Sequence, residues 1–289
     1  MPNLLEKHHF SFNKKYGQNF LQDVKIPRRI ASVCTKYGQE AEGRIPALIL
    51  EIGPGAGILT KELAAVYEKV VAVEIDENLK PVLTEALDGV PNAEVVYGDV
   101  MAVDLAALLA EKRVTADGRT LPVSVCANLP YYITTPILMK LIEGDYGVDF
   151  ITVMVQKEVA ARLAASPGSA DYGAITAAVG LRASVERLFV VPSGCFYPRP
   201  KVDSAVVRFA FYDPPKYTPS QIEKASAVIK AAFAVRRKTL VNALSQSFPH
   251  DKAALAEILV SLGLSETVRG EVLPPETFVK LAEALESRA

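Results

Sequence analysis

The chain has 289 residues, 50% of them hydrophobic and 22% charged, with 32 Lys and Arg against 33 Asp and Glu for a formal charge of −1. That composition belongs to a folded globular protein and excludes a disordered or fibrous chain. No apolar run reaches the ~18 residues of a membrane span, the N-terminal stretch lacks a signal-peptide pattern, and Cys34, Cys126 and Cys195 have neither disulfide nor metal-ligand spacing.

The cysteines therefore read as reduced thiols in or near the core of a cytoplasmic protein with no bound metal. Ala47–Ile52 is a short apolar run ending at glycines, and Ile58–Val66 repeats its apolar residues at helical spacing. Lys69–Glu74 is a second, β-branched run, followed by a helical pattern through Leu79, Val82, Leu83, Ala86 and Leu87. Glu94–Tyr97, Val123–Ala127 and Phe150–Val155 predict three further strands. Strands separated by helical stretches form parallel βαβ units, so the expected fold is α/β with a sheet covered on both faces. Helices are predicted over Lys157–Ala165 and Tyr172–Leu181, and a late strand over Ser204–Phe211, cut off by Tyr-Asp-Pro-Pro. Residues 219–289 hold three or four helical stretches and no strand. The expected division is thus 1–211 for the α/β domain and 212–289 for a small all-α domain.

Glu51-Ile-Gly-Pro-Gly-Ala-Gly57 stands between a predicted strand and a predicted helix, where glycines permit a tight turn and close approach of a ligand. The pattern is G-x-G-x-G, with Ile58 where the dinucleotide fingerprint has its third glycine, which argues against a nicotinamide dehydrogenase. Alone, such a loop suits a structural turn as well as a ligand. Glu74, 21 residues after Gly53, ends the next strand, where a carboxylate can accept from ribose hydroxyls. Gly98-Asp99 puts a second acid at the same sheet edge, suited to an exocyclic amine. Asn128-Leu-Pro-Tyr131 follows another strand and joins an amide, the Leu129 carbonyl ahead of Pro130, and a flat ring. Two acceptors beside an aromatic face suit an amino group on a planar base.

These segments, with Tyr16-Gly-Gln-Asn-Phe-Leu21, Glu74-Ile-Asp76, Gln156-Lys-Glu158, Tyr172-Gly173, Pro200-Lys-Val-Asp-Ser204 and Arg236-Arg-Lys238, occur in the order and spacing of one family. From about residue 14 to 245 the chain resembles the rRNA adenine N6,N6-dimethyltransferases, most closely their bacterial small-subunit branch. The resemblance implies a class I S-adenosylmethionine-dependent methyltransferase fold, Rossmann-like, with a seven-stranded sheet whose last strand is antiparallel. It implies dimethylation of N6 on two adjacent adenines in the loop of the 3′-terminal hairpin of 16S rRNA, within the immature 30S subunit, by a monomer that does not bind membranes. Carried over by position, Asn19, Leu21, Gly53, Glu74, Asp99 and Asn128 would hold the cofactor. Asn128, Leu129, Pro130 and Tyr131 would form the catalytic segment, with Tyr131 and Phe196 as stacking faces for an extruded adenine.

Segment charges fit an RNA partner better than the whole-chain value does. Residues 1–30 carry +4, 31–195 carry −8, 196–240 carry +6 and 241–289 carry −3. Two basic blocks flanking an acidic body form an electrostatic footprint. Lys14, Lys15, Arg28 and Arg29 in the first block, and Arg199, Lys201, Arg208, Arg236, Arg237 and Lys238 in the second, are the expected phosphate contacts. Two other readings share these features: a 23S rRNA adenine methyltransferase of the macrolide-resistance type, and a 30S assembly factor whose methylation is secondary. Asn128-Leu129 and the Pro-Lys-Val-Asp-Ser segment favour the small-subunit branch.

Overall fold

The computed structural model describes residues 2–13, 16–35, 43–235 and 237–288. It begins with α1 (Pro2–Lys7), a two-residue strand β1 (Phe20–Leu21) and α2 (Lys25–Ala31). Strands and helices then alternate: β2 (Ile45–Ile52), α3 (Ile58–Val66), β3 (Tyr67–Glu74), α4 (Lys80–Ala86), β4 (Ala93–Tyr97), α5 (Leu105–Lys112), β5 (Val123–Asn128), α6 (Thr134–Glu143) and β6 (Val148–Gln156). Next come α7 (Lys157–Leu163), α8 (Ala174–Gly180), β7 (Ala183–Val191), β8 (Phe196–Tyr197) and β9 (Ser204–Phe211). The chain ends in α9 (Pro219–Ala234), α10 (Leu240–Leu244), α11 (Lys252–Ser261) and α12 (Pro275–Glu286). Among the described residues no helix is long and apolar enough to cross a membrane.

Seven strands form one sheet in the order β4-β3-β2-β5-β6-β9-β7. Neighbours from β4 to β6 run parallel, and β9 lies antiparallel to β6 from Phe150↔Ala210 to Gln156↔Ser204. β2 sits between β3 and β5, so the βαβ units travel outward to β4 and then outward in the other direction to β6. A crevice opens at such a switch point beyond the carboxyl ends of the strands. Central strands covered on both faces need continuous apolar runs, and β2 buries every residue except Pro46. Glu51 is the polar member of that run, 1% exposed.

Two units divide the chain: residues up to Ala160 with Glu186–Ala210, and Ala161–Val185 with Phe211 onward. The later boundary falls beside the division at 212 expected from the sequence, and Ala161–Val185 groups with the residues beyond it. Tyr172, Ala177 and Leu181 share a core with Ile222, Ile229, Leu259 and Phe278. The Tyr172 hydroxyl donates to the Leu273 carbonyl at 2.8 Å, and a Cβ on Gly180 would stand 2.5 Å from Pro275 Cγ. An apolar helix face is legible in sequence, but which neighbour it packs against is not. In this second unit α9 starts at a capping box, Thr218 and Gln221 bonding each other's backbone N–H groups, with Pro219 at the first helical position.

Candidate active site

A cleft of about 800 Å³, counted to its open mouth, lies at the carboxyl edge of the first unit's sheet. Its walls are Tyr16–Leu21, Gly53–Gly55 with Ile58 and Leu59, Glu74 and Ile75, Asn128–Tyr131, and Phe196. Chain-distant segments meet there because β1 pairs antiparallel with β8, Leu21 opposite Phe196 and Phe20 opposite Tyr197.

The glycine loop connects β2 to α3. Gly53 (φ 71°) and Gly55 (φ 58°) are both in the left-handed region that side chains disfavour. A Cβ at Gly55 would also stand 2.7 Å from the Phe20 ring, so the Tyr16–Leu21 segment closes directly over the loop. The Gly55 N–H donates to Glu74 Oε2 at 3.1 Å and the Asp76 N–H donates to Oε1 at 2.8 Å. Burial pushes the Glu74 carboxyl up to about 7, although these N–H groups favour the ionised form. Asp76, 2% exposed, accepts from Gln18 Nε2 at 2.8 Å and so ties the Tyr16–Leu21 segment to the turn after β3.

Asn128 ends β5. Its side-chain Nδ2 donates to the Asn19 carbonyl at 3.2 Å, which fixes the amide and leaves its carbonyl oxygen as the available acceptor in the cleft wall. The Leu129 N–H is anchored to the Met154 carbonyl at 3.2 Å. The Thr134 hydroxyl, at the start of α6, donates to the Pro130 carbonyl at 2.9 Å. The Tyr131 hydroxyl shares a 2.9 Å hydrogen bond with Ser204 on β9.

Asn19, Leu21, Gly53, Glu74, Asn128, Leu129, Pro130, Tyr131 and Phe196 all line this cleft. Asp99 does not: it is exposed beyond β4, and its Oδ1 accepts from the Met101 N–H in its own turn at 2.8 Å. Arg199, Lys201, Arg237 and Lys238 are exposed, as are Arg28 and Arg29, whereas Lys14, Lys15 and Arg236 lie outside the described residues. Four of the basic residues have partners within the fold: Arg199 Nε donates to Ser193 Oγ at 3.1 Å, Arg28 pairs with Glu62 at 3.2 Å, Arg29 covers the Phe189 ring at 3.8 Å, and Arg208 pairs with Glu186 at 2.9 Å. Gln18, Phe20 and Ser204 escaped the sequence reading as site residues. They stand inside motifs already singled out, but their roles come from partners 58, 35 and 73 positions away.

The antiparallel β9, inserted beside β6, separates this sheet from the all-parallel dinucleotide folds and makes the first unit a class I methyltransferase domain, a fold that works with S-adenosylmethionine. Its glycine loop, strand-end acid and acceptor amide fit that cofactor's ribose and amino-acid groups. The family model described as ribosomal RNA adenine dimethylase matches residues 9–286, and the chain belongs to that family. It is 41% identical over 286 residues to the ribosomal RNA small subunit methyltransferase A of Alkaliphilus metalliredigens, covering 99% of this chain and 96% of the relative. The protein of that name from Geobacillus kaustophilus is 41% identical over 285 residues, covering 98% and 94%. Among solved structures, the 23S rRNA methyltransferase ErmE superposes with a TM-score of 0.68 at 26% identity, covering 92% of this chain and 99% of that one. A dimethyladenosine transferase from Plasmodium falciparum shares the fold, with a TM-score of 0.74 at 24% identity over 93% and 98% of the two chains.

Proposed function

We propose that this enzyme dimethylates N6 of two adjacent adenines in the loop of the 3′-terminal hairpin of 16S rRNA, acting on the immature 30S subunit as a cytoplasmic monomer. The observation that carries this reading is the Asn128 amide, clamped by the Asn19 carbonyl beside the Tyr131 ring. It offers a fixed acceptor next to a flat face. Full-length similarity to small-subunit enzymes at 41% identity, against 26% to the 23S enzyme, supports the small-subunit substrate.

When bound, S-adenosylmethionine would supply an electrophilic methyl to N6, with its thioether as the leaving group. Glu74 would take the ribose hydroxyls, with Asn19, Leu21 and the Gly53 backbone around the remainder. Donation from those hydroxyls favours the ionised form of Glu74. The N6 lone pair of adenine is delocalised into the ring and is a poor nucleophile. Asn128 Oδ1 and the Leu129 carbonyl accept from the two N6 hydrogens, favour a pyramidal nitrogen and orient its lone pair. The spent proton leaves to water, so no side-chain base is required. A stacked adenine has to be extruded before it can enter, and Tyr131 and Phe196 are its stacking faces. Arg199, Lys201, Arg237 and Lys238, together with Lys14, Lys15 and Arg236, would contact phosphates. Asp99 would reach the cofactor's adenine amine from its exposed position.

The test is methyl incorporation into undermethylated 30S subunits, with 23S rRNA as a parallel substrate, followed by mapping of modified nucleotides. Two adjacent dimethyladenines in 16S rRNA are expected. Modification of 23S rRNA instead, or rescue of a deletion strain by a catalytically dead variant, would overturn the reading in favour of its two alternatives.

A further inference from the structure

The last residue before β9 and the first residue of β9 make contacts that the cofactor chemistry does not use. Ser204, 1% exposed, holds the Tyr131 hydroxyl at 2.9 Å. Its neighbour Asp203 accepts from the Ser193 N–H at 2.9 Å through Oδ1, while its backbone carbonyl accepts from the Lys157 N–H at 3.0 Å. Ser193 opens the single turn that delivers Phe196 to the cleft, and that turn is fastened on its other side by the Gln22 N–H donating to the Cys195 carbonyl at 2.8 Å. Two consecutive residues thus fasten two of the cleft's aromatic rings, Tyr131 through a side-chain hydroxyl and Phe196 through the turn that precedes it.

We propose that Ser204 and Asp203 are positioning residues that hold Tyr131 and Phe196 in place for the entering adenine, and that their main effect falls on the second methyl transfer. The proposal rests on the adenine dimethylation proposed above. In the first round the base is held by two N6 hydrogens and by stacking. After one transfer a single N6 hydrogen remains, so a larger share of the holding falls to the rings. A loosened Tyr131 therefore releases monomethylated adenine before it can react again. Ser204 touches neither base nor cofactor in this scheme and acts only through Tyr131.

The test compares Ser204→Ala, Tyr131→Phe and the double variant, since each removes the same hydrogen bond from one side or both. Full-length enzyme and S-adenosylmethionine are mixed in single turnover with undermethylated 30S subunits, and N6-monomethyl- and N6,N6-dimethyladenosine are quantified by mass spectrometry of nuclease digests. Each single variant should slow the second transfer roughly two- to ten-fold, the range of one net hydrogen bond. The first transfer should slow less, monomethyladenosine should accumulate, and the double variant should be no worse than either single. Cofactor affinity by calorimetry should stay within about two-fold of wild type. Wild-type product ratios in both single variants, multiplicative losses in the double, or collapse of cofactor binding would each overturn the bracket while leaving wild-type dimethylation intact. A wild-type enzyme that forms no dimethyladenosine would overturn the function beneath it.

Discussion

Glu51 sets a stability test that the cofactor does not enter. Its carboxyl is buried at the end of β2, and burial pushes it from 4.5 up to about 8, with Glu74 nearby adding to the rise. The Thr60 hydroxyl beside it relieves this only in part, since neither that hydroxyl nor Glu51 Oε2 completes a well-formed hydrogen bond among the described residues. A carboxyl whose folded value lies above its unfolded value leaves stability intact below the unfolded value. That stability is lost as pH rises through the folded one. At 1.36 kcal/mol per unit, the loss between pH 5 and pH 8 is about 3–4 kcal/mol, with a plateau above pH 8. Glu51→Gln removes the titration and leaves a buried amide whose unmet hydrogen bonds cost about 1–3 kcal/mol at every pH. The variant should therefore be less stable than wild type at pH 5 and more stable at pH 8. Urea unfolding of the cofactor-free protein at pH 5, 6.5 and 8 measures the crossing. Parallel curves for the two proteins would refute a neutral Glu51.

The strand-end acid has its own pH signature. Burial pushes Glu74 up to about 7, and on the proposed role it takes ribose as the anion, so cofactor affinity by calorimetry should rise from pH 6 to pH 8, and Glu74→Gln should flatten the profile and weaken binding by about 1.5–3 kcal/mol. Gly55→Ala puts a Cβ 2.7 Å from the Phe20 ring at a left-handed φ. About 1–2 kcal/mol of backbone strain and 1–3 kcal/mol of overpacking should appear as a lowered Tm and weaker cofactor binding; an unchanged variant would remove the Phe20 contact from the account. Asn128→Ala should reduce methyl transfer on the order of 10²-fold with little change in Tm, and wild-type turnover would sink the acceptor role. Charge reversal at Arg237 and Lys238 should lower the salt slope of rRNA binding by about two without moving cofactor affinity.

The sheet's centre was legible because its strands bury both faces and each ends in a residue unlike the run before it: glycine at 53, Glu74, Asn128. β7 was not. Its burial alternates irregularly around Glu186 and Arg187, as suits a strand at the sheet's edge. β1 and β8 are two residues each, too short for any period to register. The placement of Ala161–Val185 in the second unit depends on contacts such as Tyr172 with Leu273 that sequence spacing does not encode. The charge count showed two basic blocks correctly, but a count records charge and not occupation. Arg28 and Arg29 are exposed yet meet Glu62 and Phe189, and Arg208 meets Glu186, so these three already have partners within the fold.

The pairing of Phe20 and Leu21 with Tyr197 and Phe196 carries a consequence for synthesis. Chains fold from the N-terminus as they leave the ribosome, and β2 to β6 can assemble in that order. The wall over the glycine loop, however, is fastened by residues that emerge only after β7. The nascent chain thus holds an unfinished binding site through most of its translation. An enzyme that modifies ribosomal RNA completes its own cleft only when the greater part of it has left the ribosome.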